Sequence, residues 1–184
     1  MEIRYREIIL RPWEIGYAED LAKVANNKKI ADNLRDGFPN PYTTGNAIEW
    51  IKSVIPLNDP PKLFAIFYQG EIAGSIGLVT KDNIYSRNLE TGYFVGEKYW
   101  GRNIATHSII AITHYAFSHF EIERLYAETF SDNKASGRAL EKAGFKLEAT
   151  IKRNIYKNGV IKDSCIYSKL REGHEPSGDV LIIF

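Results

Sequence analysis

The sequence predicts a mixed α/β domain in which about four helices flank a largely antiparallel central sheet of about seven strands. Three observations lead there. Short apolar runs rich in β-branched and aromatic residues recur with turn residues between them. Two helical segments each lie between strands, one after Val95 and one after Phe130, where crossover connections belong. The 184 residues, 44% hydrophobic and 26% charged, suit one soluble globular core. The domain is expected over residues 1–170, with 171–184 as a C-terminal tail.

The elements follow in order. Ile3 to Leu10 reads as the first strand. Gly16 to Asn27 carries Tyr17, Leu21, Val24 and Ala25 at helical spacing. DGFPNPYTTG, with two prolines and two glycines, is a loop. Thr43 or Thr44 then caps a helix holding Ala47, Ile48, Trp50, Ile51 and Val54. NDPPK is a linker. LFAIFY and EIAGSIGLV form a hairpin through Gln69-Gly70. The polar stretch KDNIYSRN leads into another strand, LETGYFV. After YWGRN a helix runs to about His119, with Ile104, Ser108, Ile109, Ile112, Tyr115 and Ala116 on one side. RLYAETF is a strand, and the short helix KASGRALEKAG stops at Gly144. FKLEATIKRNIY and VIKDSCIYSKL are strands joined through Lys157-Asn158-Gly159, with Asn-Gly a strong hairpin signal. DVLIIF either packs on the body or pairs as an edge strand.

Charge and composition exclude some functions. A formal net charge of +1 gives no global basic field for nucleic acid or an anionic membrane. No apolar run is long enough to span a bilayer. MEIRYREIIL lacks the apolar core of a signal peptide, so the expected location is cytoplasmic. The single cysteine, Cys165, reads as a small buried hydrophobe. His107, His114, His119 and His174 have no acidic partner at metal-ligand spacing, so no metal site is expected.

The stretch YWGRNIAT, residues 99–106, opens the long helix. A helix N-terminus offers unpaired N–H groups and the positive end of a dipole, and anions bind there. Gly101, Ala105 and Thr106 keep the turn small, and Arg102 adds charge. On its own the octapeptide is also an ordinary way to begin a helix. Its setting says more. It follows a strand ending in GYFV, and about one strand later stands SDNKASGRALEKAGF.

Together these stretches resemble the GNAT acetyltransferases, and within them the branch containing the ribosomal-protein N-terminal acetyltransferases. That branch carries a Gly-Tyr strand, a turn of the form W-G-[KR]-G-[YI]-A-T, an Asn-x-x-Ser helix start and a Leu-Glu-Lys-x-Gly-Phe helix end. Here they read Gly92-Tyr93, Trp100 to Thr106, Asn133 to Ser136, and Leu140 to Phe145. The order of elements also follows the GNAT-like pattern from Ile3 to Leu170. One departure stands out: the family's second glycine is Asn103 here. Asn is among the few other residues that tolerate positive φ.

The resemblance implies acetyl-CoA as co-substrate. Backbone groups around Phe94 and Val95 would pair with the pantetheine arm. N–H groups of Gly101, Arg102, Asn103, Ile104, Ala105 and Thr106 would hold the pyrophosphate, and Asn133 would bind the arm from the other side. A splay between LETGYFV and RLYAETF would form the slot for the thioester.

Acetyl transfer to an amine requires a neutral amine, although alkylamines are mostly protonated near neutrality. It also needs a donor for the developing oxyanion, for which a backbone N–H near Val95 is the candidate. The leaving thiolate gains from a hydrogen bond. Glu128 matches an acidic position of the resembled branch, and Glu90 lies two residues before Gly92; either is a candidate base. The alternative for each is an exposed strand residue, or a salt bridge to Arg124 or Arg87. The tyrosine that many GNAT enzymes use as acid falls at Leu140, which has no proton to give, so Ser136 is the replacement. Arg35, Phe38 and Tyr42 are expected to meet the acceptor, with anchoring of the loop as the alternative for Phe38 and Tyr42. The acceptor is a protein N-terminus or a small-molecule amine, and a homodimer is a possible assembly. Two other functions compete: a non-catalytic acyl-CoA-binding regulatory module, suggested by Asn103 and Leu140, and a different anion binder such as a nucleotide protein. The latter lacks any G-x-x-x-x-G-K-[ST] stretch.

Overall fold

The computed structural model describes residues 1–57, 59–172, 174 and 178–184. Residue 58 of the expected linker, and residues 173 and 175–177 of the expected tail, lie outside the described residues. Among the described residues nine strands form one sheet. The two strands beyond the expected seven have separate origins.

The segment expected as one strand is a hairpin of β1 (Glu2–Tyr5) and β2 (Ile8–Pro12). Arg6 has φ of 50°, so the chain doubles back and Ile3 pairs with Leu10. No Gly, Asn or Pro marks this turn. The other extra strand is β9 (Leu181–Ile183), which pairs antiparallel with β1 as an edge.

The chain continues through α1 (Ala18–Ala25) and an unexpected single turn, α2 (Lys28–Ala31). The Asn27 side chain caps α2 by accepting from the Lys29 and Ile30 amides. Thr43 begins α3 (Thr44–Val54) in a capping box with Asn46. The strands β3 (Leu63–Tyr68) and β4 (Glu71–Thr80) turn at Gln69 and Gly70, both with positive φ. Then come β5 (Asn88–Val95), α4 (Ile104–His119), β6 (Arg124–Phe130), α5 (Lys134–Lys142), β7 (Lys146–Lys157) and β8 (Val160–Leu170).

The sheet order is β7-β8-β6-β5-β4-β3-β2-β1-β9. All neighbouring pairs are antiparallel except β5 and β6, which α4 connects. Alternation along β3 shows the two layers. Phe64 and Ile66 join a core with Ile109, Ile112 and Tyr115 of α4 and Leu140 of α5. Ala65 and Phe67 join a second core with Leu21 of α1 and Ile51 of α3. The sheet therefore separates two layers of helices. No helix of the described residues is long and apolar enough to cross a membrane.

The parallel pair positions the site. β5 and β6 register only from Asn88 opposite Arg124 to Glu90 opposite Tyr126. Beyond that they part, while β6 stays paired with β8 as far as Phe130 opposite Ser164. β5 stays paired with β4 as far as Val95 opposite Gly74. The last pairing needs the glycine: a Cβ on Gly74 would sit 2.1 Å from the Phe94 carbonyl oxygen and 3.0 Å from the Val95 Cα. Backbone cannot step aside as a side chain does. Gly74→Ala is therefore expected to lower the free energy of unfolding by about 1–3 kcal/mol or more, measured by urea denaturation.

Candidate active site

All the residues singled out from the sequence as site candidates line one cavity of about 1650 Å³. It passes through the gap between β5 and β6. Its walls include the turn at 100–106 and the start of α5, and on the other helical layer the loop at 33–42 and Trp50 of α3.

The turn is built for exposed amides. Gly101 has φ of 77° and Asn103 φ of 58° with ψ of 10°, so two of three consecutive residues are left-handed. Asn103 thus takes the backbone state that glycine would take. Its side chain makes no cap; its Oδ1 instead accepts from Lys142 Nζ of α5 at 3.2 Å. Among the described residues no acceptor meets the N–H groups of residues 101–106, and His107 is the first to bond back, to the Asn103 carbonyl. The Ile104 side chain is buried in the core, so this residue offers the cavity only its backbone. Arg102, Lys134, Arg138 and Lys142 put positive charge around the turn.

Trp100 fixes the turn to the strand. Its indole N–H donates to the Val95 carbonyl at 2.7 Å, so that oxygen is already engaged rather than left for a pantetheine arm. The Gly96 N–H runs back to Ala73 on β4. By alternation along the strand, the Val95 N–H points the other way, into the gap. Asn133 caps α5, its Oδ1 accepting from the Ser136 amide at 3.2 Å, which leaves its NH₂ to donate. Ser136 Oγ lies 2.7 Å from the Tyr93 hydroxyl. Leu140 is fully buried among apolar neighbours.

The two candidate carboxylates have different surroundings. Glu90 is 9% exposed, with Arg35 Nη2 at 2.6 Å from one oxygen and Lys81 Nζ at 2.7 Å from the other. The carboxylate holds the Lys81 ammonium above its ordinary pKa. Neither expected partner is there: Arg87 pairs with Glu121 and Glu123, and Arg124 with Glu148. Glu128 is exposed, and one of its oxygens accepts from Asn154 Nδ2 at 2.8 Å.

Asn154 reaches Glu128 because β7 bulges. Between Ile151 and Ile155 the strand carries two residues more than β8 across from it. Arg153 has φ of 54°, and Asp163 accepts from both its amide and the Lys152 ammonium. The second Asn154 amide hydrogen goes to Ser164 Oγ, also at 2.8 Å. Both hydrogens are thus spoken for and the Asn154 carbonyl oxygen remains as an acceptor.

In the loop at 33–42 Phe38 touches Tyr42 at 4.9 Å and Phe94 at 5.5 Å between ring centroids. Tyr42 is buried in the second core, and burial pushes its phenol up to about 12. Tyr42 anchors the loop. Arg35 is tied to Glu90, Asp36 to Lys157, and Asp32 to Asn158, so the loop is fastened to β5 and to the β7–β8 hairpin. Tyr93 and Trp100 carry no site role on sequence grounds, and Asn154 is not marked by the sequence at all. Trp100 and Tyr93 lay inside the motifs quoted, but nothing in spacing shows where a side chain bonds. Asn154 had no signal, since the bulge is not written in local composition.

The domain model described as acetyltransferase (GNAT) domain matches residues 7–146. An uncharacterised N-acetyltransferase of Bacillus subtilis, YoaA, is 34% identical over 98 residues, 53% of this chain and 55% of that relative. The chain thus spans little more than half the length of this relative, and 57% of a second from the same organism. A structure of the microcin C7 self-immunity acetyltransferase with acetyl-CoA and AMP superposes with a TM-score of 0.78 at 27% identity, covering 90% of this chain and 93% of that one. A ribosomal L7/L12 alpha-N-protein acetyltransferase with coenzyme A superposes at 0.83 and 22% identity, covering 92% and 98%. The latter likeness is one of fold.

The left-handed turn gives a stability test that needs no ligand. Asn103→Ala is expected to cost about 1 kcal/mol, because alanine keeps the Cβ in the left-handed region and loses both the polar side chain that makes asparagine tolerant of it and the bond from Lys142, while Asn103→Gly, which removes the Cβ, stays close to the parent. Thermal and urea unfolding of the two variants, side by side, measure the difference.

Proposed function

The chain belongs to the acetyltransferase (GNAT) domain family, and from that membership we propose that it moves an acetyl group from acetyl-CoA to a primary amine by direct attack. The acceptor is a protein N-terminus or a small-molecule amine. One observation carries the reading: a gap in the sheet joins a donor-rich turn on one side to an exposed carboxylate, Glu128, on the other. Donor and acceptor can therefore meet from opposite faces without exchanging places.

The residues fit the co-substrate. Free amides from Gly101 to Thr106, with Arg102 and Lys142, suit a pyrophosphate. Asn133 offers its NH₂ to an amide-bearing arm. Bound acetyl-CoA supplies the activated acetyl group. The Val95 N–H is the oxyanion donor.

Glu128 takes the base role, and Glu90 does not. Each Glu90 oxygen already meets a cation, so this carboxylate is occupied in holding the loop and Lys81 in place. Glu128 has one oxygen held by Asn154 and the other open to the cavity. The Asn154 carbonyl oxygen beside it adds a second acceptor for the N–H groups of an incoming ammonium. Arg35 serves first to hold the loop against β5, and Phe38 walls the acceptor side next to Phe94.

Calorimetric titration tests the donor half. Acetyl-CoA and CoA are both expected to bind, and Arg102→Ala to weaken both. Absence of binding would remove this reading. For the acceptor half, acetyl-CoA consumption is followed across an amine panel that includes peptides with free N-termini and polyamines. With an active amine in hand, Glu128→Gln is expected to lower turnover by about 10²–10⁴-fold while leaving acetyl-CoA affinity unchanged. Binding without turnover on any amine would instead favour the non-catalytic module.

A further inference from the structure

The α5 helix offers no phenol to the cavity, because Leu140 is fully buried and apolar. A phenol nevertheless reaches the same place from the sheet. Tyr93 projects from β5 toward the layer of α4 and α5. Its hydroxyl lies 2.7 Å from Ser136 Oγ and 3.2 Å from the Ser136 carbonyl oxygen. Both residues line the cavity. We propose that Tyr93 is a positioning residue: it donates its proton to Ser136 Oγ, and so commits the Ser136 hydroxyl proton to the sulfur of coenzyme A. This rests on the acetyltransferase reading above.

A serine hydroxyl has one proton and two lone pairs. Among the described residues, the hydroxyl partner of Ser136 is Tyr93. Two arrangements satisfy this geometry. In the first, Ser136 donates to Tyr93 and Tyr93 donates to the Ser136 carbonyl, so both protons are spent inside the protein. In the second, Tyr93 donates to Ser136 Oγ and the serine proton faces the cavity. The 2.7 Å contact serves both arrangements, whereas the 3.2 Å contact belongs only to the first and is the longer.

A thiolate in the cavity selects the second arrangement. It brings lone pairs and no proton, so it can only accept. Hydrogen bonds in series strengthen one another, and the serine becomes a better donor when it also accepts. Burial pushes the Tyr93 phenol up to about 12, so it keeps its proton near neutrality. The charged or titratable neighbour acting on it is Tyr167, itself raised by burial. Tyr167 also walls the helix start: a Cβ on Gly137 would come 2.5 Å from its hydroxyl. The first turn of α5 is held between these two tyrosines, which leaves Ser136 little freedom to point elsewhere.

The test uses coenzyme A itself and needs no acceptor. The ultraviolet absorbance of its thiolate is titrated against pH in the stoichiometric complex. The complex with desulfo-CoA is the blank, which removes absorbance from the protein's own tyrosines. In the parent the bound thiol is expected to ionise about threefold to tenfold more readily than free CoA, because a hydrogen bond favours its charged form. Tyr93→Phe keeps the ring and its packing and is expected to lose most of that gain. Ser136→Ala should lose all of it, and the double variant should match Ser136→Ala. Parent-like ionisation in Tyr93→Phe, with a loss in Ser136→Ala, would overturn the role of Tyr93 alone. No change in either, with CoA still bound, would overturn the pair. Failure of the parent to bind CoA would overturn the acetyltransferase reading beneath it.

Discussion

Two parallel strands that stop pairing after three residues control this molecule. β5 and β6 run together from Asn88 to Glu90 and then separate. Buried backbone left without partners is costly, so a gap of this kind closes unless something holds it. Here each strand is held on its far side, β5 by β4 and β6 by β8. Side chains fix β5 on both faces as well. Phe94 meets Phe38 in the α1 and α3 layer, and Tyr93 meets Ser136 in the α4 and α5 layer. Trp100 ties off the strand end at Val95. The gap is thus a built feature of the fold.

The gap also sets where the proposed pyrophosphate site lies. A parallel pair needs a crossover, and the crossover here is α4. A helix that leaves the end of β5 must begin at the open end of the gap. Its free amides and dipole therefore point at whatever enters there. Position follows from topology, and Gly101 with Asn103 supplies the backbone shape that keeps those amides outward. The cost of a left-handed asparagine is small beside what the turn provides, and Lys142 steadies its side chain.

The parts of this arrangement that were legible in the sequence are those encoded locally. The Asn-Gly and Gln-Gly hairpins, the cap at Thr43 or Thr44 and the start of α4 each occupy a few adjacent residues. The left-handed state of Asn103 followed from which residues tolerate positive φ. The splay was reached only through the family resemblance, since it is a property of two strands far apart in the chain. The turn at Arg6 was missed because an arginine with φ of 50° breaks the usual residue preferences. Strand β9 has a partner at the opposite end of the chain. Glu90 reads from the sequence as a candidate base, with Arg124 or Arg87 as its alternative partners, because Arg35 and Lys81 meet it only in the folded state.

The contrast between Glu90 and Glu128 shows how one sheet face assigns different work to two like residues. A carboxylate buried beside two cations is a structural anchor, because removing either cation would leave charge uncompensated in a poor solvent for it. Glu90 therefore fastens the loop at 33–42 through Arg35. Asp36 with Lys157 and Asp32 with Asn158 fasten it again at the far side. Glu128 is spared that duty, because the bulge in β7 brings it a neutral partner, Asn154, instead of a cation. A neutral donor orients a carboxylate without cancelling its charge. In the proposed reaction an incoming ammonium would meet an anion that no fixed cation has already satisfied, on the side of the gap away from the amide-rich turn. The separation of opposite charges across the gap follows from which residues were left unpaired.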